Sequence, residues 1–581
     1  MIERKRTGKQ KSSLDKLLEK IPPFTGFFIL FSIIFFSYIL PEIAAIQIIV
    51  IDVYFLYKSI TYTLQFGLAM IRIRHHDQIN WLEKVKGLED IPNEIIQLKK
   101  QKSFIQKCNY STHDLNTVPQ SLYTPDKLLF SNIRLPKLFQ KLLFTITKQK
   151  TIRFLRDEIK FLETLMEKKI IKPSEIQHIV IIPHVKEPYL LLKETLRHLA
   201  CQTFPTKQIS IVLAAEAVDP DGVKISRKLK EEFNKYFNHI WITNHVLGQD
   251  EIVGKSSNMA WAGKAVSREI IRLGWDLAKT TVTSCDADSK LPVHYFAYLT
   301  YKYLTIEDAK YKFFNGAMVL YNNIWRLPFY ARIKNSMSTI YNVGRQVRTD
   351  KLVPFSTYST SFWLVDKIGY WTPWITPEDF HIFFKSLFKF NNYVETIPLY
   401  LKIMSDAAEG STHWETFKNN YMQERRWAWG ISDDGWILKN ILLKWKKLSL
   451  RVKYIGFHVI WDHISGSIGA LVVLIGGNIP PLLNLEFRNT VFGVRLPGVS
   501  SSIIQLTIIF MVIVIFIDFF LKPRPAKNSW WKKIIRIIEW IVQPFTGFFL
   551  TIVPGLEAHT RLLFGDYLEY YVTKKKVQKE K

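Results

Sequence analysis

Cysteine is nearly absent from this chain. Its 581 residues hold three, Cys108, Cys201 and Cys285. They stand far apart, in neither an even framework nor metal-ligand spacing, so disulfides carry nothing here and a reducing compartment fits. Acids are scarce beside bases, 51 Asp and Glu against 79 Lys and Arg, a formal charge of +28. Such a balance favours anionic partners such as nucleotide diphosphates, acidic lipid headgroups or nucleic acid, although a lysine-rich genome gives the same balance. A third absence is regional. Between about residues 58 and 447 no long uninterrupted apolar run occurs, while the flanks on both sides are rich in them.

With 48% hydrophobic residues and 14% aromatics, the chain can hold one large globular domain together with membrane segments. A basic start, "MIERKRTGKQK", precedes the apolar run 24–40; Pro41-Glu42 breaks it, and a second run covers 43–57. Each piece is near the ~20 residues that a bilayer core requires. They read as a helical hairpin rather than a signal peptide, because no small-residue cleavage site follows. Three more candidates lie at 464–483, 503–521 and 540–554. Basic segments flank the hairpin and follow the fourth span ("KPRPAKNSWWKK"), which puts the central region in the cytoplasm and the chain in the cell membrane. Five full spans would send the basic tail "VTKKKVQKEK" outside, so the last segment is expected to be re-entrant or a sixth span to be hidden.

Residues 58–177 are charged and helix-like, as in "FLRDEIKFLETLMEKK", and carry no chemical motif. From Ile179 the period changes. The runs 179–183, 209–216, 239–246 and 280–288 are short and β-rich, with helical patterns such as 189–200 and 223–236 between them. That alternation predicts an α/β fold, a mostly parallel sheet with helices on both faces, whose ligands bind beyond the carboxyl ends of the strands. Glu187, Glu216, Asp286 and Asp288 all follow apolar runs and fall on that edge.

Three stretches carry possible chemistry. In "TSCDADSKLP", Asp286 and Asp288 can hold Mg²⁺ or Mn²⁺, which neutralises a diphosphate, or they can be a polar turn. In "WITPEDFHIFFK", Glu378 and Asp379 are a site or an ordinary acidic helix start. In "YMQERRWAWG", Arg425 and Arg426 can meet a pyrophosphate and Trp427 or Trp429 can stack on a sugar, or the group can be an interfacial belt.

Taken in order, these stretches resemble the membrane-embedded family 2 glycosyltransferases, which include cellulose, hyaluronan and chitin synthases. The family pattern of IP-x-x-x-E, an acid after the second strand, GK-x-x-N, DxD, TED and QxxRW is met by "IIPHVKEP" with Glu187, "VLAAEAVD" with Glu216, "GKSSNMAWA" with Lys255 and Asn258, "DAD", "PED" and "QERRW". The tail "LEAHTRLLFGDYLEYYVTKK" looks like the end of bacterial and archaeal members. Three departures stand out: Glu216 replaces the Asp-Asp-Gly of many members, Pro377 stands where the third motif has Thr, and "GRQVRTDKLVPFSTYSTSFW" fills the stretch where members line the acceptor pocket, with no individual contact assigned.

The resemblance implies a GT-A catalytic domain at 178–435, after a basic segment and hairpin at 1–60 and a helical collar at 61–177. Interfacial helices at 436–463 and a C-terminal membrane region with its tail at 464–581 follow. It also implies an inverting, metal-dependent transfer from a UDP- or GDP-sugar to a glycan or lipid-linked acceptor, for cell-surface polysaccharide or glycolipid synthesis, with the lipid bilayer and no nucleic acid as partners. Asp288 is then the ligand of Mg²⁺ or Mn²⁺, shared with Asp286, which faces the donor. Glu187, Glu216, Lys255, Gln423 and Arg426 bind the donor, and Trp427 borders the acceptor. Asp379 is the base and Glu378 its tuning neighbour. Two other readings remain open at this point: a metal-dependent phosphotransferase or nuclease built on the DAD pair, and a non-catalytic transport or scaffold protein.

Overall fold

The computed structural model describes residues 12–107, 137–168, 170–523 and 530–568. Cys108, the basic start 1–11, the stretch 524–529 of the basic segment after the fourth span, and the basic tail lie outside the described residues.

A seven-stranded sheet forms the centre, in the order β3-β2-β1-β4-β6-β5-β7. Its first four strands are β1 (Gln177–His184), β2 (Ile209–Glu216), β3 (Ile240–His245) and β4 (Thr280–Ser284). They are the β-rich runs of the sequence, mutually parallel, and all eight positions of β2 are buried. The other three are β5 (Phe313–Val319), β6 (Tyr358–Ser361) and β7 (Thr396–Met404). Of these β6 runs antiparallel to both β4 and β5, while β5 and β7 are parallel.

Period-two alternation gives each strand a foot in two cores. Val180 and Ile182 face one, with Leu192 and Leu196 from α3 (Tyr189–Ala200), Leu229 from α4 (Gly222–Phe233), and Leu155 and Leu162 from the collar helix Lys137–Glu167. Ile179 and Ile181 face the other, with Met259 and Val266 from α5 (Lys255–Arg272). This second core also takes Phe383 and Leu387 from α7 (Glu378–Phe390) and Ile455 and Val459 from α9 (Leu450–Ile464).

Five helical runs are long and apolar enough to cross a membrane. They are α1 (Ser13–Ile39), α2 (Pro41–His76), the run Leu450–Leu483 that starts with α9, α10 (Val491–Leu521), and the run Trp530–Phe564 that ends in α11 (Val553–Phe564). Helix α2 continues well past the apolar run 43–57. Its distal residues Phe66, Ala69, Met70 and Ile73 recur at helical spacing and are buried with Ala317 and Val319 of β5 and Ala331 and Val343 of α6 (Phe329–Arg345). The second candidate span is thus one rigid piece with the sheet's far edge. At the level where α2 meets α9, Lys58 Nζ lies 2.9 Å from Asp462 Oδ1.

Candidate functional site

Strand β4 ends at Ser284, so Asp286 and Asp288 sit in the turn just past its carboxyl end. Across the sheet, the carboxyl ends of β1 and β2 bring Glu187 and Glu216 to the same edge. At this edge the first turn of α5 delivers Lys255 and the first turn of α7 delivers Glu378 and Asp379. Pro377 stands before that helix, where a fixed φ and a missing N–H suit a helix entrance, and both acids occupy the end where the backbone dipole favours negative charge.

Four of the expected residues meet in one ion cluster. Lys255 Nζ donates to Asp286 Oδ1 at 2.6 Å and lies 2.9 Å from Glu378 Oε1. Burial opposes the charge on Lys255, but Asp286, Glu378 and Asp379 outweigh it and hold the ammonium well above the usual lysine range. Asp379 is buried, with Oδ2 accepting from the Ser356 amide and Oδ1 from its neighbour's amide, each at 2.9 Å. Desolvation first, and then the charge of Glu378, push its carboxyl up to about 7, against the opposing pull of Lys255. A carboxylic group brought that near neutrality is suited to taking a proton at working pH.

Ser356 joins these parts. Its hydroxyl donates to Asp286, its amide to Asp379, and its carbonyl accepts from Lys255 at 3.1 Å. The residue has φ 60, in the left-handed region that costs a non-glycine residue about 1–2 kcal/mol. Next to it, Thr357 Oγ1 accepts from the Asp286 amide at 3.2 Å and contacts Ser289 Oγ at 2.9 Å. Nothing in the sequence pattern marks Ser356, because its contribution is a backbone conformation.

Asp288 is buried, and its Oδ2 accepts from the Asp406 amide at 2.8 Å. Asp286 stays about a third exposed, 30%, so the pair has one buried and one partly exposed carboxylate, each held by hydrogen bonds. Among the described residues no three acidic, histidine or cysteine side chains form a ready metal cage. Two hard oxygen donors, one of them partly exposed, nevertheless fit Mg²⁺ or Mn²⁺, which accept one or two carboxylates and leave the other positions to phosphate and water. Cys285 is fully buried and burial pushes its thiol up, so it is an inert strand-end residue.

The "QERRW" motif lies near the end of α8 (His413–Ala428) and is organised by a buried lysine that the sequence does not single out. Lys334 of α6 places Nζ 3.1 Å from Glu424, 3.4 Å from Gln423 Oε1 and 4.1 Å from the centre of the Trp427 ring. Burial pushes its ammonium down, Glu424 counters this, and nearby Arg426 adds to the fall. Trp427 also meets Phe355 edge to face, ring centres 6.3 Å apart, one residue from Ser356. The loop 355–357 therefore touches both the ion cluster and the tryptophan. On its other side α8 is held by Glu557 of α11, which accepts from Tyr421 at 2.7 Å and pairs with Arg425 and Arg561.

At the far end of the edge Glu216 is engaged by its neighbours. His245 Nδ1 lies 2.9 Å from Glu216 and its Nε2 2.9 Å from Glu251. Burial pushes the imidazole down, but the two flanking acids overcome it and raise it. Glu187 accepts from the Val185 amide, closing a turn in which Lys186 has φ 61 and gives its amide to Asp219 at 2.7 Å. Asp219 is a further acid on this edge that the reading by motif passed over, three residues after β2. Asn258 is buried and donates to the Ala214 carbonyl at 2.9 Å, fastening α5 to β2.

Comparison with protein-family models finds no match, and comparison with curated proteins finds none either. Among solved structures, the chain is similar to a mannosyltransferase of Pyrobaculum calidifontis in complex with GDP-Man and Mn²⁺, at 11% identity and a TM-score of 0.38, over 69% of this chain and 92% of that one. It is also similar to residues 1–349 of S. aureus TarS, at 11% identity and a TM-score of 0.26, over 57% and 92%, and that fragment is also known in complex with UDP. Likenesses this distant leave the functional argument to the site itself.

Proposed function

We propose that the chain is a membrane-bound, inverting glycosyltransferase with a GT-A domain, taking its sugar from a UDP- or GDP-sugar. The observation that carries the reading is the cluster of Lys255, Asp286, Glu378 and Asp379 at the carboxyl edge of the sheet, gathered around Ser356. The ordered motifs that contain these residues support it from the sequence side.

Asp288 and Asp286 would hold Mg²⁺ or Mn²⁺, which when bound supplies positive charge against a diphosphate leaving group. Lys255 can release Asp286 to that task while keeping its pair with Glu378. Arg426, with Gln423, serves the pyrophosphate, and the face of Trp427 borders the incoming acceptor. Asp379 takes the proton from the acceptor hydroxyl as its oxygen bonds to the anomeric carbon and the bond from that carbon to the diphosphate breaks. Glu378 and burial keep its carboxyl near neutrality, so the base is competent without a histidine. Glu187 and Glu216 would face the nucleoside, Glu216 in company with His245. The acceptor is a glycan or a lipid-linked acceptor at the cell membrane.

Membranes bearing the protein, incubated with a panel of UDP- and GDP-sugars and Mn²⁺ or Mg²⁺, test the proposal. Metal-dependent nucleotide release that vanishes in Asp288→Ala is the expected result. Absence of release with every donor would refute it.

A further inference from the structure

A cavity of about 120 Å³ lies where the α/β domain meets the candidate spans, lined by Tyr62 of α2, Arg345, Arg348, Lys351, Phe380 and Asp462. Its position relative to the bilayer follows from its neighbours. Tyr62 comes just after the apolar run of α2, and Asp462 lies on α9 at the start of the third candidate span. Around it Tyr57, Tyr454 and Trp461 are exposed, and Trp461 donates to Tyr54 at 2.8 Å, the aromatic signature of a membrane–water boundary. Phe380, which lines the cavity, is the sequence neighbour of Asp379 in the first turn of α7.

The charges around this cavity do not balance. Arg348 is committed to Asp350 through contacts of 2.9 and 2.6 Å. Asp462 is committed to Lys58 at 2.9 Å and His458 at 3.1 Å, and His463 to Asp434 at 2.8 Å. Arg345 gives a hydrogen bond to the Val353 carbonyl at 3.2 Å and lies 5.5 Å from the centre of the Tyr341 ring, and among the described residues neither it nor Lys351 forms an ion pair. Burial, and then the charge of Arg348, push the Lys351 ammonium down to about 8, against the opposing pull of Asp462 and Asp350. Two half-buried cations left over at headgroup depth call for an anion. The volume selects a compact one, since pockets for larger ligands run to roughly 300 Å³ and more.

Resting on the transferase reading, we propose that Arg345 and Lys351 bind the phosphodiester of a membrane lipid whose headgroup ends in a hydroxyl, and that this lipid is the glycosyl acceptor. With the phosphate seated there, the headgroup extends past Phe380 toward Asp379. The headgroup oxygen bonds to the anomeric carbon, its proton passes to Asp379, and the nucleotide diphosphate departs with the electrons of the broken bond. The lipid phosphate is a recognition element and stays intact.

Lipid retention by the purified full chain in detergent tests the proposal without any sugar donor, using labelled phosphatidylglycerol and, as the neutral hydroxylated control, diacylglycerol. The wild type is expected to retain phosphatidylglycerol at least about ten-fold better. The double variant Arg345→Gln/Lys351→Gln is expected to lose that preference and Arg345→Lys/Lys351→Arg to keep it. Equal retention of the two lipids, or an undiminished preference in the glutamine variant, would overturn the proposal. On the wild type alone, soluble glycerophosphoglycerol should displace the lipid. Failure to do so, or equal displacement by a uronic-acid oligosaccharide of the same charge, would overturn it too, the latter marking a glycan carboxylate site. Selective retention with no transfer from any nucleotide sugar would sink the proposed function and leave the lipid site standing.

Discussion

Lys255 is the residue whose loss the structure prices most clearly. Replacing it by methionine keeps much of the side-chain volume but leaves Asp286, Glu378 and Asp379 facing one another without their shared cation, which now sits 2.6 and 2.9 Å from the first two. Removing one partner of a buried charge pair costs about 3–5 kcal/mol, equivalent to roughly 10²- to 10⁴-fold in the folding equilibrium. The pH dependence gives the test its direction. The Asp379 carboxyl is already raised in the folded state, and Lys255 is among the influences holding it down. A raised carboxyl contributes stability below its unfolded value of roughly 4 and loses it as pH climbs through the folded value. Without Lys255 that folded value moves higher still, so the loss continues further up the scale. Thermal unfolding of Lys255→Met and wild type, followed by tryptophan fluorescence in metal-free detergent solution, should show a small deficit near about pH 5 and a full one near about pH 8. A variant that melts with the wild type at the higher pH, or shows its larger deficit at the lower one, would refute the idea that Lys255 neutralises this cluster.

Further outcomes follow from the same geometry. Asp379→Asn should lower transfer by about 10²-fold or more in a radiolabelled-sugar assay, since it removes the group that takes the proton. In the wild type, kcat/KM should climb as pH rises through about 7, where Asp379 loses its proton; a profile flat from about pH 5 to about pH 9 would contradict its role as base. Ser356→Gly should be more stable than Ser356→Ala by roughly 1 kcal/mol in chemical unfolding, because both lose the hydroxyl but only glycine relaxes the left-handed backbone. Glu557→Gln should raise the donor KM by about ten-fold with a smaller change in kcat, since Arg425 and Tyr421 lose the charge that fixes α8.

The four parallel strands were legible because they are rich in β-branched residues and punctuated by helices of ordinary length, and because β1, β2 and β4 are wholly or mostly buried. Strand β6 was not. It is only "YSTS", four small or polar residues buried on both faces, with no alternation to detect. The extension of α2 to His76 was hidden for a related reason: beyond Tyr57 its apolar residues recur on one helical face and no longer form a run. In the site, the strand pattern put Asp286 at the carboxyl edge of the sheet, and only the family resemblance joined Lys255, Glu378 and Asp379 to it; the fold brings the four side chains together. Ser356 and Lys334 stayed invisible. One acts through a backbone angle, and the other is a lysine that looks solvated in the sequence yet lies under Trp427.

The contact between α8 and α11 has a consequence for biosynthesis. Glu557 is more than a hundred residues downstream of Arg425, and Tyr567, just past α11, reaches back to Glu19 of α1 at 3.0 Å. A ribosome delivers α8 well before α11, so the helix bearing Gln423 and Arg426 waits without its brace until the last hydrophobic run has entered the bilayer. Nascent chains still being threaded therefore carry the acid cluster of the sheet edge with α8 unbraced, and the arrangement of its motif is fixed only once Glu557 has met Arg425 and Tyr567 has met Glu19.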